Sequence, residues 1–148
     1  MPPSAAPRTI DSLLAQYRES HRNHTNELIH VVCVPVIVFS LLGLVWSVHA
    51  IAALAVSAAA LWYYFRLSRS FAYGMLAMTL VMLALLASMP RYTVLPVSIA
   101  LFVLAWMGQF VGHQIEGKKP SFFDDLRFLL IGPLFVLSFL YRRLRVAY

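Results

Sequence analysis

Near the N-terminus lies the stretch that decides the fold: residues 17–40 read YRESHRNHTNELIHVVCVPVIVFS. Three of the five histidines of the chain, His21, His24 and His30, fall within it, and an apolar segment follows them directly. Imidazole is a common ligand for zinc, copper, iron and nickel. The pattern therefore predicts a group of metal ligands at the point where the chain enters an apolar environment.

The composition is that of an integral membrane protein. Of the 148 residues, 61% are hydrophobic and 12% are charged. No Asp, Glu, Lys or Arg occurs between Glu27 and Arg66 or between Arg69 and Arg91. Since roughly 20 apolar residues cross a bilayer core, these gaps predict several membrane-spanning helices. The single cysteine, Cys33, excludes a disulfide framework and a cysteine-based zinc site.

We predict one all-α domain over residues 1–148, a bundle of about four membrane spans. A disordered lead (1–9) precedes an amphipathic helix (10–24), in which Ile10, Leu13, Leu14 and Tyr17 repeat at helical spacing. The four spans cover 28–112. The remaining segment, 116–148, is expected at the cytoplasmic face and ends in a short re-entrant or interfacial helix, since its apolar run, residues 128–141, has only 14 residues and is interrupted by Gly132-Pro133.

His21 and His24 are three residues apart, so on one helix both reach a single ion. His30 is nine residues from His21, about half a turn away on an ideal helix. It therefore either has a separate role or follows a break in the backbone. Such a break would lie near Thr25 and Asn26, which are good N-cap residues, with a new helix from Glu27.

The distribution of basic residues predicts the orientation in the membrane. With four spans, every one of the twelve basic residues except Arg91 lies on one face, which the positive-inside rule makes cytoplasmic. Both termini are then cytoplasmic. The net charge of +6 is explained by this arrangement, so nucleic acid is not expected as a partner. The compact chain favours a bacterial inner membrane over the endoplasmic reticulum.

The same topology brings His113, at the end of the fourth span, to the surface where the first span begins. Gln109, His113 and Glu116 share one helix face there. A site of histidines alone and a site of histidines plus one carboxylate, as in non-haem iron oxygenases, are both open. Asn26, Gln109 and Glu116 are expected to support the ligands without binding the ion. His49 is expected at the opposite surface as an interfacial anchor.

Two blocks carry a family resemblance: YRESHRNHTNELIHVVCVP at 17–35 and WMGQFVGHQIEGKKP at 106–120. They resemble the signature blocks of the fungal endoplasmic-reticulum 2-hydroxy fatty acid dioxygenase and its small membrane relatives in bacteria and plants. The resemblance implies an Fe(II)-dependent enzyme that shortens 2-hydroxy fatty acids by one carbon with O2. It also implies that the family's catalytic and metal-binding histidines correspond to His21, His24, His30 and His113.

The fatty acid is expected to enter from the membrane lipids, with Lys118, Lys119 or Arg22 neutralising its carboxylate. Two other classes of function stay open on the sequence: a haem-binding electron-transfer bundle, and a non-catalytic protein that binds lipids or a partner through its basic face. The oligomeric state is not determined by any of these patterns.

Overall fold

A computed structural model describes residues 9–120 and 127–148, which form six helices. Most of the predicted disordered lead lies outside these residues. In chain order the helices are α1 (Thr9–Arg18), α2 (His24–Val48), α3 (Ala50–Leu67), α4 (Arg69–Ser88), α5 (Arg91–Glu116) and α6 (Phe128–Leu144).

Four of these helices, α2 to α5, are long and apolar enough to cross a membrane. Large apolar side chains are exposed along them, including Val48, Leu80 and Leu104 at 81%, 57% and 64%. Exposure of so many apolar side chains on one small protein is unfavourable in water but favourable in lipid. The prediction of an all-α bundle with four candidate spans is confirmed.

The predicted break between the amphipathic helix and the first span is real, but its position was wrong. α1 ends at Arg18, well before the predicted end at residue 24, and the non-helical turn covers residues 19–23. Asn23 is the N-cap of α2: its side-chain oxygen accepts the backbone N–H of Thr25 at 2.9 Å and of Asn26 at 3.4 Å. These bonds satisfy donors that the first turn of a helix otherwise leaves unpaired.

Packing divides the molecule into two ends. α2 and α5 make the most extensive helix pair. At the end where α2 begins, α6 packs against α1, α2 and α4 and buries a cluster that includes Leu14, Phe71 and Phe135. At the other end a smaller cluster forms around Ala53 and Leu86. α6 is thus an uninterrupted helix through Pro133, and its buried face closes over the start of the first span.

Candidate metal centre

His21 and His30 meet at the start of α2 although they are nine residues apart. The Nε2 atoms of the two rings are separated by 2.9 Å. The other ring nitrogens are held by backbone carbonyls: His21 Nδ1 lies 2.7 Å from the oxygen of Tyr17, and His30 Nδ1 lies 2.9 Å from the oxygen of Asn26. Both rings are buried, with 5% and 1% of their surface exposed.

This hydrogen bonding fixes the tautomers. A carbonyl oxygen only accepts, so each Nδ1 carries the hydrogen and, in the neutral rings, each Nε2 has a bare lone pair. Two bare nitrogens facing each other at 2.9 Å repel unless a proton or a metal ion lies between them. Burial lowers the pKa of His21 from its ordinary 6.5 to about 4, which disfavours a proton. The pair is therefore suited to a metal ion.

His113, on α5, completes the group. Its ring centre lies 5.0 Å from that of His21 and 4.9 Å from that of His30. The three imidazoles offer one ligand atom each, all within 4.8 Å of one another. Within the described part of the chain, the buried Nδ1 of His113 has no hydrogen-bond partner. An unpaired buried nitrogen is costly, and a bound cation would remove that cost.

The donor set fits a metal ion in a second respect. Histidine ligands typically donate their other ring N–H to a backbone carbonyl or a carboxylate, which fixes the ring orientation. His21 and His30 both do so. Metal–nitrogen bonds to zinc are about 2.0–2.1 Å long, so two ligand atoms 2.9 Å apart can share one ion of similar size.

Glu116, the last residue of α5, holds the turn that carries His21. Its Oε1 accepts the backbone N–H of Arg22 at 2.9 Å, and its Oε2 accepts that of Asn23 at 2.8 Å. The carboxylate thus lies at the N-terminus of α2, where the helix dipole favours negative charge. Gly117 ends α5 directly after it in the left-handed conformation (φ 72°), which glycine adopts without strain.

Asn26 and Lys118 tighten the same connection. The Asn26 amide donates to Glu116 Oε2 at 3.1 Å and to the backbone oxygen of Ser20 at 3.3 Å. Lys118 Nζ donates to the backbone oxygen of Glu19 at 2.8 Å. Gly112 makes room for Asn26, since a Cβ at this position would lie 2.3 Å from Asn26 Oδ1.

The structure does not bring His24 into this group. His24 is the first residue of α2, its side chain is 76% exposed, and its Nδ1 lies 3.8 Å from the Glu27 carboxylate. The prediction assumed that His21 and His24 share a helix, whereas His21 belongs to the preceding turn. His24 and His30 do share a helix, but six residues place them about 120° apart around its axis.

The remaining candidate residues lie in different places relative to the three histidines. Gln109 is buried and lines the same cavity as His30 and His113. Lys118 and Lys119 line a second depression together with His113. Arg22 is exposed and contributes its backbone N–H to Glu116. His49 lies between α2 and α3, exposed, and its Nδ1 accepts the Ile51 N–H as the N-cap of α3.

The sequence did not reveal the aromatic wall of the site. The rings of Tyr17 and His21 stack with centres 4.2 Å apart and an interplanar angle of 7°. Phe135 of α6 lies 5.5 Å from the same imidazole. Burial raises the pKa of Tyr17, so its phenol stays neutral. Phe135 lies in an apolar run of α6 with no feature that points to the histidines.

Fold and site together define a helical membrane protein with a buried three-histidine centre. A family model described as 2-hydroxy-palmitic acid dioxygenase Mpo1-like matches residues 8–144, and the chain belongs to this family. It is 31% identical over 140 residues to the 2-hydroxy-palmitic acid dioxygenase MPO1 of Saccharomyces cerevisiae, covering 90% of this chain and 80% of the yeast protein. No solved structure matches the chain. The family resemblance seen in the two sequence blocks is confirmed.

Proposed function

We propose that this protein is an Fe(II)-dependent dioxygenase that shortens 2-hydroxy fatty acids by one carbon with O2, and that His21, His30 and His113 hold the iron. The observation that carries the proposal is the facing pair of Nε2 atoms 2.9 Å apart, each opposite an Nδ1 that donates to a carbonyl. The activity in the name of the yeast relative supplies the substrate class and the oxidant.

Three neutral imidazoles would leave several coordination positions of an iron ion unused. Fe(II) bound there would supply the redox chemistry with O2, as in non-haem oxygenases with open positions. The overall reaction balances as one 2-hydroxy acid plus one O2 giving the acid one carbon shorter, carbon dioxide and water. The bond that breaks joins C1 and C2, and both carbons are oxidised while O2 is reduced.

The protein's own residues would orient the ligands and exclude water. The carbonyls of Tyr17 and Asn26 keep the Nδ1 hydrogens of His21 and His30 away from the ion. The rings of Tyr17 and Phe135 cover His21 on the side of α1 and α6. Without such cover, water would compete for the open positions.

The substrate carboxylate would lie toward the depression that His113 shares with Lys118 and Lys119. Lys118 keeps donors available there, since an ammonium has three hydrogens and one bonds to the Glu19 carbonyl. By the positive-inside rule this surface is cytoplasmic, in a bacterial inner membrane or, in a eukaryote, the endoplasmic reticulum. The acid would reach the site directly from the lipid.

The proposal is tested on protein purified without oxygen, by measuring bound iron and the O2 consumed with 2-hydroxypalmitic acid. Wild-type protein is expected to bind about one iron per chain, whereas His21→Ala and His113→Ala should lose both iron and activity. His49→Ala, at the other end of α2, is the matched control and should keep both.

Two outcomes would reject the proposal. If His113→Ala retained iron and activity, the three-histidine site would be wrong. A Soret band in the purified protein would instead indicate bound haem and reject the iron site.

A further inference from the structure

A groove leads from the histidines into the membrane-spanning part of the bundle. We infer that it holds the alkyl tail of the fatty acid and that Leu41, at its far end, limits the length of tail that the site accepts. The inference rests on the proposed function, because it takes the substrate to be an acid with one long alkyl chain.

The groove is built from one face of α2. His30, Val34, Ile37 and Leu41 all line it, and their spacing of four, three and four residues places them along one stripe of the helix. The opposite wall is formed by Trp106, Gln109 and His113 of α5, again at helical spacing, while α6 contributes residues that include Leu129 and Gly132.

The polarity of the groove changes along its length. His30, Gln109 and His113 are at one end, and the wall beyond them along α2 is entirely aliphatic. A molecule that matches this wall has a polar head and an unbranched apolar tail. Leu41 and Leu129 are 43% and 44% exposed, so the groove borders the surface that faces lipid. A fatty acid could therefore enter it sideways without crossing water.

The length of the groove also suits an acyl chain. His30 and Leu41 are eleven residues apart, which on a helix is about 16 Å. This is close to half of the roughly 30 Å hydrocarbon core of a bilayer, the depth filled by the acyl chains of one leaflet. A tail in the groove would thus extend as far as the tails of neighbouring lipids.

Selection by length must come from shape and not from the hydrophobic effect. A tail that leaves lipid for an aliphatic groove moves between two environments of similar polarity, so added methylene groups gain little. Bulk at the far end of the groove, in contrast, excludes tails that reach it. A larger side chain at Leu41 should therefore penalise long substrates selectively.

The first test compares turnover of sixteen-carbon and ten-carbon 2-hydroxy acids in Leu41→Trp. The ratio of long-chain to short-chain turnover is expected to fall at least tenfold, and in Leu41→Ala the ratio should rise. Leu104→Trp is the matched control, because Leu104 is 64% exposed on α5 and does not line the groove. An unchanged ratio in both Leu41 variants, with iron still bound, would overturn the inference.

The second test does not need catalysis. A 2-hydroxy acid with a photoreactive group at the end of its tail is bound to the wild-type protein, irradiated, and its attachment site is mapped by mass spectrometry. Labelling around Leu41 and Trp106 is expected. Labelling confined to lipid-facing positions such as Leu80 or Leu104 would overturn the inference even if the enzyme oxidised the acid. If the groove were labelled but no 2-hydroxy acid were oxidised, only the proposed function would fail.

Discussion

Replacing Glu116 by Gln should weaken metal binding although Glu116 does not reach the histidine nitrogens. Its Oε2 accepts from Asn23 and Asn26, and its Oε1 accepts from Arg22. A glutamine can keep its oxygen at the Oε2 position, but its amide nitrogen then faces the N–H of Arg22, donor against donor. The turn that carries His21 consequently loses one hydrogen bond to a charged acceptor.

The magnitude follows from that single bond. A hydrogen bond to a charged group contributes about 1.5–3 kcal/mol, and because Glu116 is only half-buried we take about 1.5 kcal/mol. Since about 1.4 kcal/mol corresponds to a factor of ten, Glu116→Gln should weaken the metal affinity by up to about tenfold, the limit reached when the turn becomes ordered only on metal binding. Glu116→Ala removes all three bonds and should reach the upper part of the 10–100-fold range that is typical for residues supporting metal ligands.

The assay is an anaerobic titration of the metal-free protein with Fe(II), in which the heat of binding is measured by calorimetry. Glu27→Gln is the matched control, because Glu27 carries the same charge near the start of α2 but lies 3.8 Å from His24 and Arg142. Hydrogen exchange at the amides of Arg22 and Asn23 should also accelerate in Glu116→Ala. If Glu116→Ala bound Fe(II) within threefold of wild type, Glu116 would have no role in positioning His21.

Three further predictions concern the same end of the molecule. Gly112→Ala should lower the thermal unfolding midpoint, at a cost of about 1–3 kcal/mol, because its Cβ would collide with Asn26 Oδ1; an unchanged midpoint would mean that α2 and α5 separate easily. His24→Ala should leave the iron content at the wild-type value. Loss of iron in this variant would place the exposed His24 in the site. Metal-free protein should be stable above pH 6.5 and lose stability as the pH falls toward 4. Below pH 6.5 the unfolded chain binds a proton at His21, whereas the buried ring in the folded protein stays neutral. The free energy of unfolding therefore falls by up to about 1.4 kcal/mol per pH unit. Unfolding midpoints at pH 7.5, 6 and 5 check the slope, which should flatten in His21→Asn.

The spans were predictable because they depend on local composition. A membrane helix needs a long run of uncharged residues, and the sequence between Glu27 and Arg66 is such a run. Charge distribution likewise predicted that His113 returns to the surface where His21 lies. The structure brings these two residues together across most of the chain.

That His30, and not His24, lies beside His21 was not predictable in this way. It depends on where α1 ends, and that boundary is reinforced by the carboxylate of Glu116, which is 94 residues from Arg22. No local pattern encodes a partner so distant. The role of α6 was hidden for a similar reason: its apolar run looks too short for a span, yet it covers α1 and the histidines through tertiary packing.

The bond between Glu116 and the turn before α2 also affects the order of events during synthesis. Ribosomes add about 5–20 residues per second, so His21 and His30 are made roughly 5–20 s before His113 and Glu116. During that interval His21 and His30 lack both His113 and the Glu116 carboxylate, which holds the turn before α2. If the protein binds iron as proposed, its three-histidine ligand set is complete only after α5 has been made.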